Sequence, residues 1–391
     1  MEFGFSPEEE AFRQKVRAFL KQELPADWEG REAFEEAGEE QRRFARAFVK
    51  RLAQQGWLCM AWPKEYGGGG ATHVEQLIFK EESGYAGAPA GDVFGVGMAG
   101  PTLIVFGTEA QKKQHLPGIA SAEVIWCQGF SEPGAGSDLA SLQTKAVEQG
   151  DYFVVNGQKI WSTGAHQANW MFMLCRTDPE APRHRGISYL LVDMKTPGIT
   201  VRPLVNAVNS HDFNEVFFDE VKVPRENLVG DKNAGWYVAA ATLDFERSSI
   251  GDATAARRSL ERMVQWARDT KVDGVSVYDD PTVRAKLAEM AIEIEISRML
   301  SYRVTWMQAQ GIIPNYEASE AKLFASELLQ RLANAGMQMM GLAGQLWRDP
   351  RGPLSGRMPV GYVGSIGITL AGGTSEIQRN IIAQRGLGLP R

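Results

Sequence analysis

Cysteine is scarce in this chain of 391 residues: three, at positions 59, 127 and 175, with no C-x-x-C pair among them. That spacing excludes a disulfide framework, a dithiol redox motif and a cysteine zinc site, and it suits a reducing compartment. Histidine is almost as rare. The five histidines, at 73, 115, 166, 184 and 211, never fall at H-x-x-x-H spacing, so no metal is expected. Cationic charge is not in excess either: Lys+Arg 42 against Asp+Glu 48 gives a formal net charge of −6. Without a basic stripe to displace phosphate counterions, nucleic acid is not an expected partner. No run reaches the roughly 18 apolar residues that a membrane helix needs. The first nine residues are acidic, without the basic start and apolar stretch of a secretion signal. A cytoplasmic location with no membrane insertion is the expectation.

What is present is core-forming sequence, 44% hydrophobic against 23% charged, enough for two or three packed domains. Ser6-Pro7-Glu8-Glu9 reads as a helix start, with Ser6 as N-cap, Pro7 in the first helical position and Glu9 returning a capping-box bond. This helix runs to about Leu24, and helical periodicity recurs over 32–56 and 73–86. From Glu123 the texture turns β-rich: 124–130, 152–155, 170–175, 187–192 and 215–223 read as strands, with Asn156-Gly157 as a hairpin signal. After Asn233-Ala234-Gly235 the helical period returns over 234–270, 281–310, 316–341 and 374–386. The expected fold class is α+β, mostly α: an N-terminal helical domain over 1–122, a small β domain over 123–232 and a C-terminal four-helix bundle over 233–391. This is not the βαβ alternation of a dinucleotide fold.

Gly95-Val96-Gly97-Met98-Ala99-Gly100 matches G-x-G-x-x-G, yet no strand pattern precedes it and Pro101 follows, so local packing accounts for it. Ser131-Glu132-Pro133-Gly134-Ala135-Gly136-Ser137-Asp138 says more. Its glycines let backbone amides approach a ligand, and Ser131 and Ser137 offer hydroxyls at a strand end. Alone, the string reads equally as a tight turn capped by Asp138. Asn156-Gly157-Gln158-Lys159-Ile160-Trp161-Ser162-Thr163-Gly164-Ala165 sets Trp161 two residues from the Thr163 hydroxyl on one strand face. That pair reads as a ligand surface or as ordinary core packing.

In this order and spacing the last two strings resemble the acyl-CoA dehydrogenase family. Ala61-Trp62-Pro63-Lys64-Glu65-Tyr66-Gly67-Gly68, Phe106-Gly107-Thr108, Phe217-Phe218-Asp219-Glu220-Val221-Lys222-Val223-Pro224 and Gly372-Gly373-Thr374-Ser375-Glu376-Ile377-Gln378-Arg379 extend the resemblance over essentially the whole chain. It implies three layers, helical, antiparallel β-barrel and four-helix bundle. It also implies FAD as cofactor and dehydrogenation of an acyl-CoA thioester across Cα–Cβ to the trans-2-enoyl-CoA. A carboxylate takes the Cα proton and flavin N5 the Cβ hydride, so a base and an oxyanion clamp are both required. Carried over by position, Ser131 and the backbone from Gln128 through Phe130 hold the flavin's polar edge, Trp161 covers its ring, and the Thr163 hydroxyl meets N5. Ser137 belongs to the same cofactor loop and touches the pantetheine chain. Thr374 and Glu376, near the start of the last long helix, lie by the pyrophosphate and ribose of FAD.

The base is where the sequence departs from much of the family. Its commonest position, just before the Gly-Thr of the last motif, is Gly372 here. Leu243-Asp244-Phe245-Glu246-Arg247 instead resembles a minority of members, isovaleryl-CoA and long-chain enzymes among them, that carry the glutamate on a bundle helix. Glu246 is then the candidate base, and Asp244 and Arg247 match positions that contact the CoA moiety. By itself Glu246 reads as a solvated helix carboxylate paired with a nearby arginine. Gly372 keeps a role as a backbone N–H donor to the thioester oxygen.

Family members also bind FAD across a subunit interface, through R-x-x-F and Q-x-x-G-G-x-G of the neighbour. Here the matching stretches put Thr270 and Asp273 where arginine and phenylalanine belong, and Leu342 where the second glycine belongs. That pattern is similar to the larger subunits of two-gene acyl-CoA dehydrogenases of the steroid side-chain or pimeloyl-CoA type. It implies a second subunit in an α2β2 assembly, or else a homo-oligomer with an altered cofactor contact. An electron-transfer flavoprotein is the implied electron acceptor. Two other readings stand beside this one: a non-catalytic partner subunit, and an oxygen-using enzyme on the same fold, an acyl-CoA oxidase or a flavin monooxygenase.

Overall fold

The computed structural model describes residues 4–26, 28, 38–246 and 250–390, with residues 243–246 and 250–252 described as backbone only. Five helices come first: α1 (Pro7–Glu23), α2 (Glu39–Gln54), α3 (His73–Ala86), α4 (Gly100–Phe106) and α5 (Glu109–Ala120). Eight strands follow: β1 (Trp126–Gly129), β2 (Lys145–Gln149), β3 (Tyr152–Lys159), β4 (Trp170–Arg176), β5 (Ile187–Asp193), β6 (Ile199–Leu204), β7 (Phe213–Pro224) and β8 (Leu228–Val229). Next come α6 (Gly235–Glu246), α7 (Ile250–Asp269), a short hairpin of β9 (Lys271–Val272) and β10 (Val275–Ser276), α8 (Pro281–Ala309), α9 (Tyr316–Met340), α10 (Arg357–Ile368) and α11 (Ser375–Ile381). The fold is α+β and mostly α, with a helical N-terminal part, a β middle and a helical C-terminal part. No helix among the described residues is long and apolar enough to cross a membrane.

Helix starts follow local chemistry. Ser6 Oγ accepts the Glu9 N–H at 3.2 Å while Glu9 Oε2 accepts the Ser6 N–H at 2.7 Å. Thr72 with Glu75 caps α3 in the same way, and Thr108 with Gln111 caps α5. The α5 signal was in the sequence but went unread, because Pro117 sits inside the helix and masks its period.

The chain divides into two compact units that do not follow chain order. One takes α1, α3 and everything from α7 onward. Its core joins α7, α8, α9 and α10 through residues such as Met263, Leu287, Met290, Leu332 and Met358. Glu81 on α3 ties further elements to it, accepting from Arg13 of α1 at 3.2 Å, from Arg298 of α8 at 3.2 Å and from the Tyr302 hydroxyl at 2.7 Å. Burial and that carboxylate push the Tyr302 phenol up to about 12.

The other unit takes α2, α4, α5, α6 and strands β1–β8. The sheet order is β6-β7-β3-β2-β4-β5-β8, largely antiparallel, with β1 joining β4 in parallel. Strands β4 and β5 read as continuous apolar runs because both their faces are covered. Phe172, Leu174, Tyr189 and Leu191 face a core that includes Leu103, Leu116 and Val238, and Met171, Met173, Leu190 and Val192 face a second one.

Several expectations are corrected. Asn156-Gly157 is not a hairpin turn: it lies within β3, opposite an extra residue in β7 between Phe218 and Val221. Glu220 takes φ 50° there, and the Asn156 side chain bonds across to it, donating to its carboxylate at 2.6 Å and accepting its N–H at 2.9 Å. The true connection between β2 and β3 is Gly150–Asp151. Trp161 and Thr163 do not share a strand face, since β3 ends at Lys159 and Trp161 turns to φ 60°. The last helix, α11, has only 7 residues before a π-type turn over Ile382–Gly386. Gly95–Ala99 forms a π-type turn leading into α4, where a Cβ on Gly100 would lie 1.9 Å from the Trp62 ring, so close packing explains that glycine. Of the helix expected over 234–270, α6 and α7 are seen, and 247–249 lie outside the described residues; α2 covers 39–54 of the expected 32–56, whose first residues are likewise undescribed.

Gly157 has φ +152°, and a Cβ there would stand 2.6 Å from Thr144 Oγ1 and 2.7 Å from its Cα. Gly157→Ala should therefore cost about 2–4 kcal/mol from backbone strain and overpacking combined. Gly97→Ala, which meets open space, should leave the unfolding midpoint nearly unchanged in the same urea titration. Equal midpoints for the two variants would refute this account of the bulge.

Candidate functional site

The two motif strings meet at the ends of β1 and β3. Past β1 the Phe130 ring turns inward, edge-on to Phe172 at 5.6 Å and to Tyr189 at 6.2 Å. Ser131 O accepts the Ile160 N–H at 2.9 Å, which joins one loop to the other. Glu132 and Ala135 then exchange backbone bonds of 3.0 Å each, closing a tight turn. A Cβ on Gly134 or Gly136 would meet nothing within 4 Å. Those two glycines keep space open above the loop; they do not relieve a clash within it. Gln128 is half-buried, with Met98 Sδ 3.7 Å from its side-chain amide.

Residues 161–164 are strapped to the stretch entering β7. Ser162 N–H donates to Asn214 O at 3.1 Å, the Asn214 side chain donates to Ser162 O at 3.0 Å, and Gly164 N–H donates to Asp212 O at 2.9 Å. Trp161 is thereby held at a positive φ with its ring 55% exposed, edge-on to Phe213 at 5.7 Å. A large apolar plate held out at a conformation L-residues avoid marks a functional surface more often than a packing accident. His166 stacks on His211 at 4.2 Å beneath this segment, and burial together with His211 pulls the His166 imidazole below its ordinary value. The hydroxyls of Ser131, Ser137 and Thr163 have no hydrogen-bond partner among the described residues, and the buried Ser162 Oγ is also unpaired.

Beneath the first loop lies a pair that sequence reasoning missed. Lys159, with 0% of its surface exposed, donates to Glu132 Oε1 at 2.8 Å and to Phe130 O at 3.1 Å. The same carboxylate accepts the N–H groups of Gln143 at 2.7 Å and Thr144 at 2.9 Å. Burial pushes the Glu132 carboxyl up, but Lys159 and those amides outweigh it and hold the group below its usual range. Burial pulls the Lys159 ammonium down, against the attraction of Glu132. Removing one partner of such a pair costs about 3–5 kcal/mol, whereas replacing both is often neutral. The available signal was a lysine at the end of a strand, close in sequence to the Trp161 and Thr163 string.

Of the remaining expected residues, Thr270, Asp273, Leu342, Gly372, Thr374 and Glu376 belong to the other unit, whereas Asp244 and Glu246 on α6 belong to this one. Gly372 and Gly373 have φ +64° and +88°, and their carbonyls accept from Gln378 Nε2 at 3.0 and 3.3 Å. Gly373 O also accepts Lys322 Nζ at 2.8 Å. Thr374 Oγ1 caps α11 by accepting the Ile377 N–H at 3.2 Å. The amide of Glu376 itself and the Thr374 hydroxyl hold the exposed Glu376 carboxyl below its usual value. Glu246 and Asp244 lie on α6, but their side chains are outside the described residues, as is Arg247 altogether. Asp273 and Gly274, at φ 52° and 83°, form the two-residue turn of the β9–β10 hairpin. Leu342 is 86% exposed. Among the described residues no cluster of three His, Cys, Asp or Glu side chains is placed to hold a metal ion.

An exposed indole and three unpartnered hydroxyls, carried on two loops joined by a backbone bond and supported by an ion pair, suit a flat heterocycle with polar edges. A groove of about 940 Å³ near Lys50, Tyr66 and Lys112 contains none of these residues.

Comparison with known proteins matches three family models in chain order: the acyl-CoA dehydrogenase N-terminal domain over residues 6–123, middle domain over 127–221 and C-terminal domain over 233–387. The chain is 39% identical over 389 residues to acyl-CoA dehydrogenase IpdE1 of Mycobacterium tuberculosis, covering 98% of each. Among solved structures it resembles the Tcur3481-Tcur3483 steroid ACAD, with 35% identity, TM-score 0.88 and 100% of each chain covered. The ChsE4-ChsE5 complex from Mycobacterium tuberculosis gives 32% identity and TM-score 0.88, also over 100% of each chain. With every part of the chain matched in order and at this identity, it belongs to the acyl-CoA dehydrogenase family of oxidoreductases.

Proposed function

We propose that this chain is a subunit of an FAD-dependent acyl-CoA dehydrogenase that forms trans-2-enoyl-CoA thioesters. The observation that carries the reading is the exposed Trp161 ring and the hydroxyls of Ser131, Ser137 and Thr163 without partners among the described residues, on two loops joined by the Ile160–Ser131 bond, in a chain of this family. FAD, when bound, supplies the acceptor for the Cβ hydride. Gln128, Phe130 and Ser131 hold its polar edge, Trp161 covers its ring and Thr163 hydrogen-bonds at N5. Ser137 serves the same loop and the pantetheine chain. Thr374, whose hydroxyl oxygen caps α11 and whose O–H supports the Glu376 carboxylate, lies together with Glu376 by the pyrophosphate and ribose.

For the thioester, Glu246 takes the Cα proton while the Gly372 N–H donates to the carbonyl oxygen, stabilising charge as it develops. Asp244 and Arg247 hold the CoA moiety. Glu246→Gln is nearly isosteric and should leave flavin bound, yet slow flavin reduction by acyl-CoA on the order of 10²- to 10⁴-fold. A near-parental reduction rate in stopped-flow measurements would remove Glu246 from the base role.

Thr163→Val removes a hydroxyl and keeps β-branching and volume. Because Thr163 is half-buried and its hydroxyl makes no hydrogen bond among the described residues, folding should be little affected, while flavin reduction slows by about tenfold, the worth of one hydrogen bond. An unchanged rate with an unchanged flavin absorption spectrum would show that this hydroxyl does not meet the flavin.

We further propose that the active assembly is heteromeric, α2β2, with one FAD per αβ pair and an electron-transfer flavoprotein as acceptor. Two of the similar proteins, the Tcur3481-Tcur3483 steroid ACAD and the ChsE4-ChsE5 complex, pair two gene products. An acyl side chain on a steroid ring system is accordingly the favoured substrate class. Val272, Val275 and Leu342, in the stretches where a neighbour-facing flavin contact belongs, are 61%, 59% and 86% exposed, apolar surface suited to burial against a partner. Purified alone, the chain should carry well under one flavin per subunit, and co-expression with its partner should restore it. A yellow, active homotetramer with one FAD in every chain would overturn the heteromer.

A further inference from the structure

We propose that Lys159 is a positioning residue for the cofactor loop, acting through Glu132 and the Phe130 carbonyl to aim Ser131. The proposal rests on the flavin reading given above. Its basis is geometric. Lys159 sits at the end of β3 with no exposed surface, and its ammonium contacts both neighbours of Ser131: the carbonyl of Phe130 on one side and the carboxylate of Glu132 on the other. Ser131 is therefore held between two anchors on a single cation, while its own hydroxyl has no partner among the described residues.

The carboxylate closes the loop at its far end as well, since Gln143 and Thr144 donate their amides to it. Thr144 Oγ1 in turn donates to Gln158 O at 3.2 Å, one residue before the lysine. Residues 130–144 thus form a loop whose two ends share one ion pair, and Ile160 N–H to Ser131 O links that loop to the segment bearing Trp161 and Thr163. Farther along, the loop is held by Arg176, which donates to Ala140 O at 2.6 Å, and by the Arg183–Asp138 pair at 2.9 Å, but on either side of Ser131 the side-chain ties come from Lys159. A ligand site needs its contact groups held to within a fraction of an ångström, and a buried second layer is what supplies that. The pair is neither solvent-facing nor part of the apolar core, which is the place such a support should occupy.

The test compares Lys159→Met, Glu132→Gln and the double variant with the parent, using the full chain in its flavin-loaded assembly. The readouts are FAD dissociation constant by flavin fluorescence, the flavin absorption band, the thermal midpoint, and amide hydrogen exchange of peptides covering 130–144. The single variants should be less stable, and the double variant should recover most of the lost midpoint because no buried charge is left alone. In all three, FAD affinity should fall by about 10- to 100-fold, the effect of losing one or two well-aimed hydrogen bonds. Exchange should rise over 130–144 while peptides from β4 and β5 stay protected.

If the double variant recovers FAD affinity together with its stability, or if exchange rises evenly through the β unit, the pair is structural only and the proposal fails. Parental FAD affinity in the single variants would overturn it too. A parent protein that takes up no flavin in any assembly would defeat the functional reading itself and this proposal with it, an outcome distinct from both.

Discussion

An ammonium group enclosed on every side is tolerable only where its charge is met, and at Lys159 that requirement organises one corner of the β unit. Its Nζ needs acceptors, so the Glu132 side chain turns inward and Phe130 O points down. The carboxylate, once buried, needs more than one donor, and the amides of Gln143 and Thr144 supply them from the other end of the loop. The Ser131 loop hangs directly from that arrangement, and the Trp161–Thr163 segment, itself strapped to β7, is joined to it by the Ile160 bond to Ser131.

The helical unit solves a similar problem with Glu81. Three donors from two other helices converge on it, while Arg13 and Arg17 also pair with Glu82. Here the buried carboxylate joins helices far apart in sequence, tying α1 and α3 to α8 within the helical unit. Exposed ion pairs elsewhere in the unit, such as Arg351 with Asp349, contribute little by comparison.

Long periodic elements were legible in the sequence. The capping box at Ser6 and Glu9, the span of α3 and the lengths of α8 and α9 follow from caps and apolar spacing alone. Elements with mixed signals were not: α5 carries a proline inside, and α10 has three glycines, Gly361, Gly364 and Gly367, that lower helical propensity. Asn156-Gly157 misled because a dipeptide that favours a turn also suits a strand opposite a bulge, and only the partner strand decides between them. The motif residues at 131, 137, 161 and 163 were identified through family resemblance. Their freedom from protein partners, and the ion pair beneath them, are long-range facts that no local pattern encodes.

Asp273 shows how a departure from a family pattern gains a local cause once the backbone is known. As a side chain replacing an aromatic at a cofactor contact, an aspartate has no rationale, since it suits neither adenine nor pyrophosphate. As the first residue of a two-residue hairpin turn it has a direct one: both central positions take positive φ, and Asp-Gly is among the few pairs that adopt this without strain. The turn in turn sets Val272 opposite Val275, each more than half exposed. Backbone geometry alone thus accounts for Asp273, and it leaves an apolar pair on the hairpin's surface. Under the heteromer proposed above, that pair is the surface a second subunit would cover.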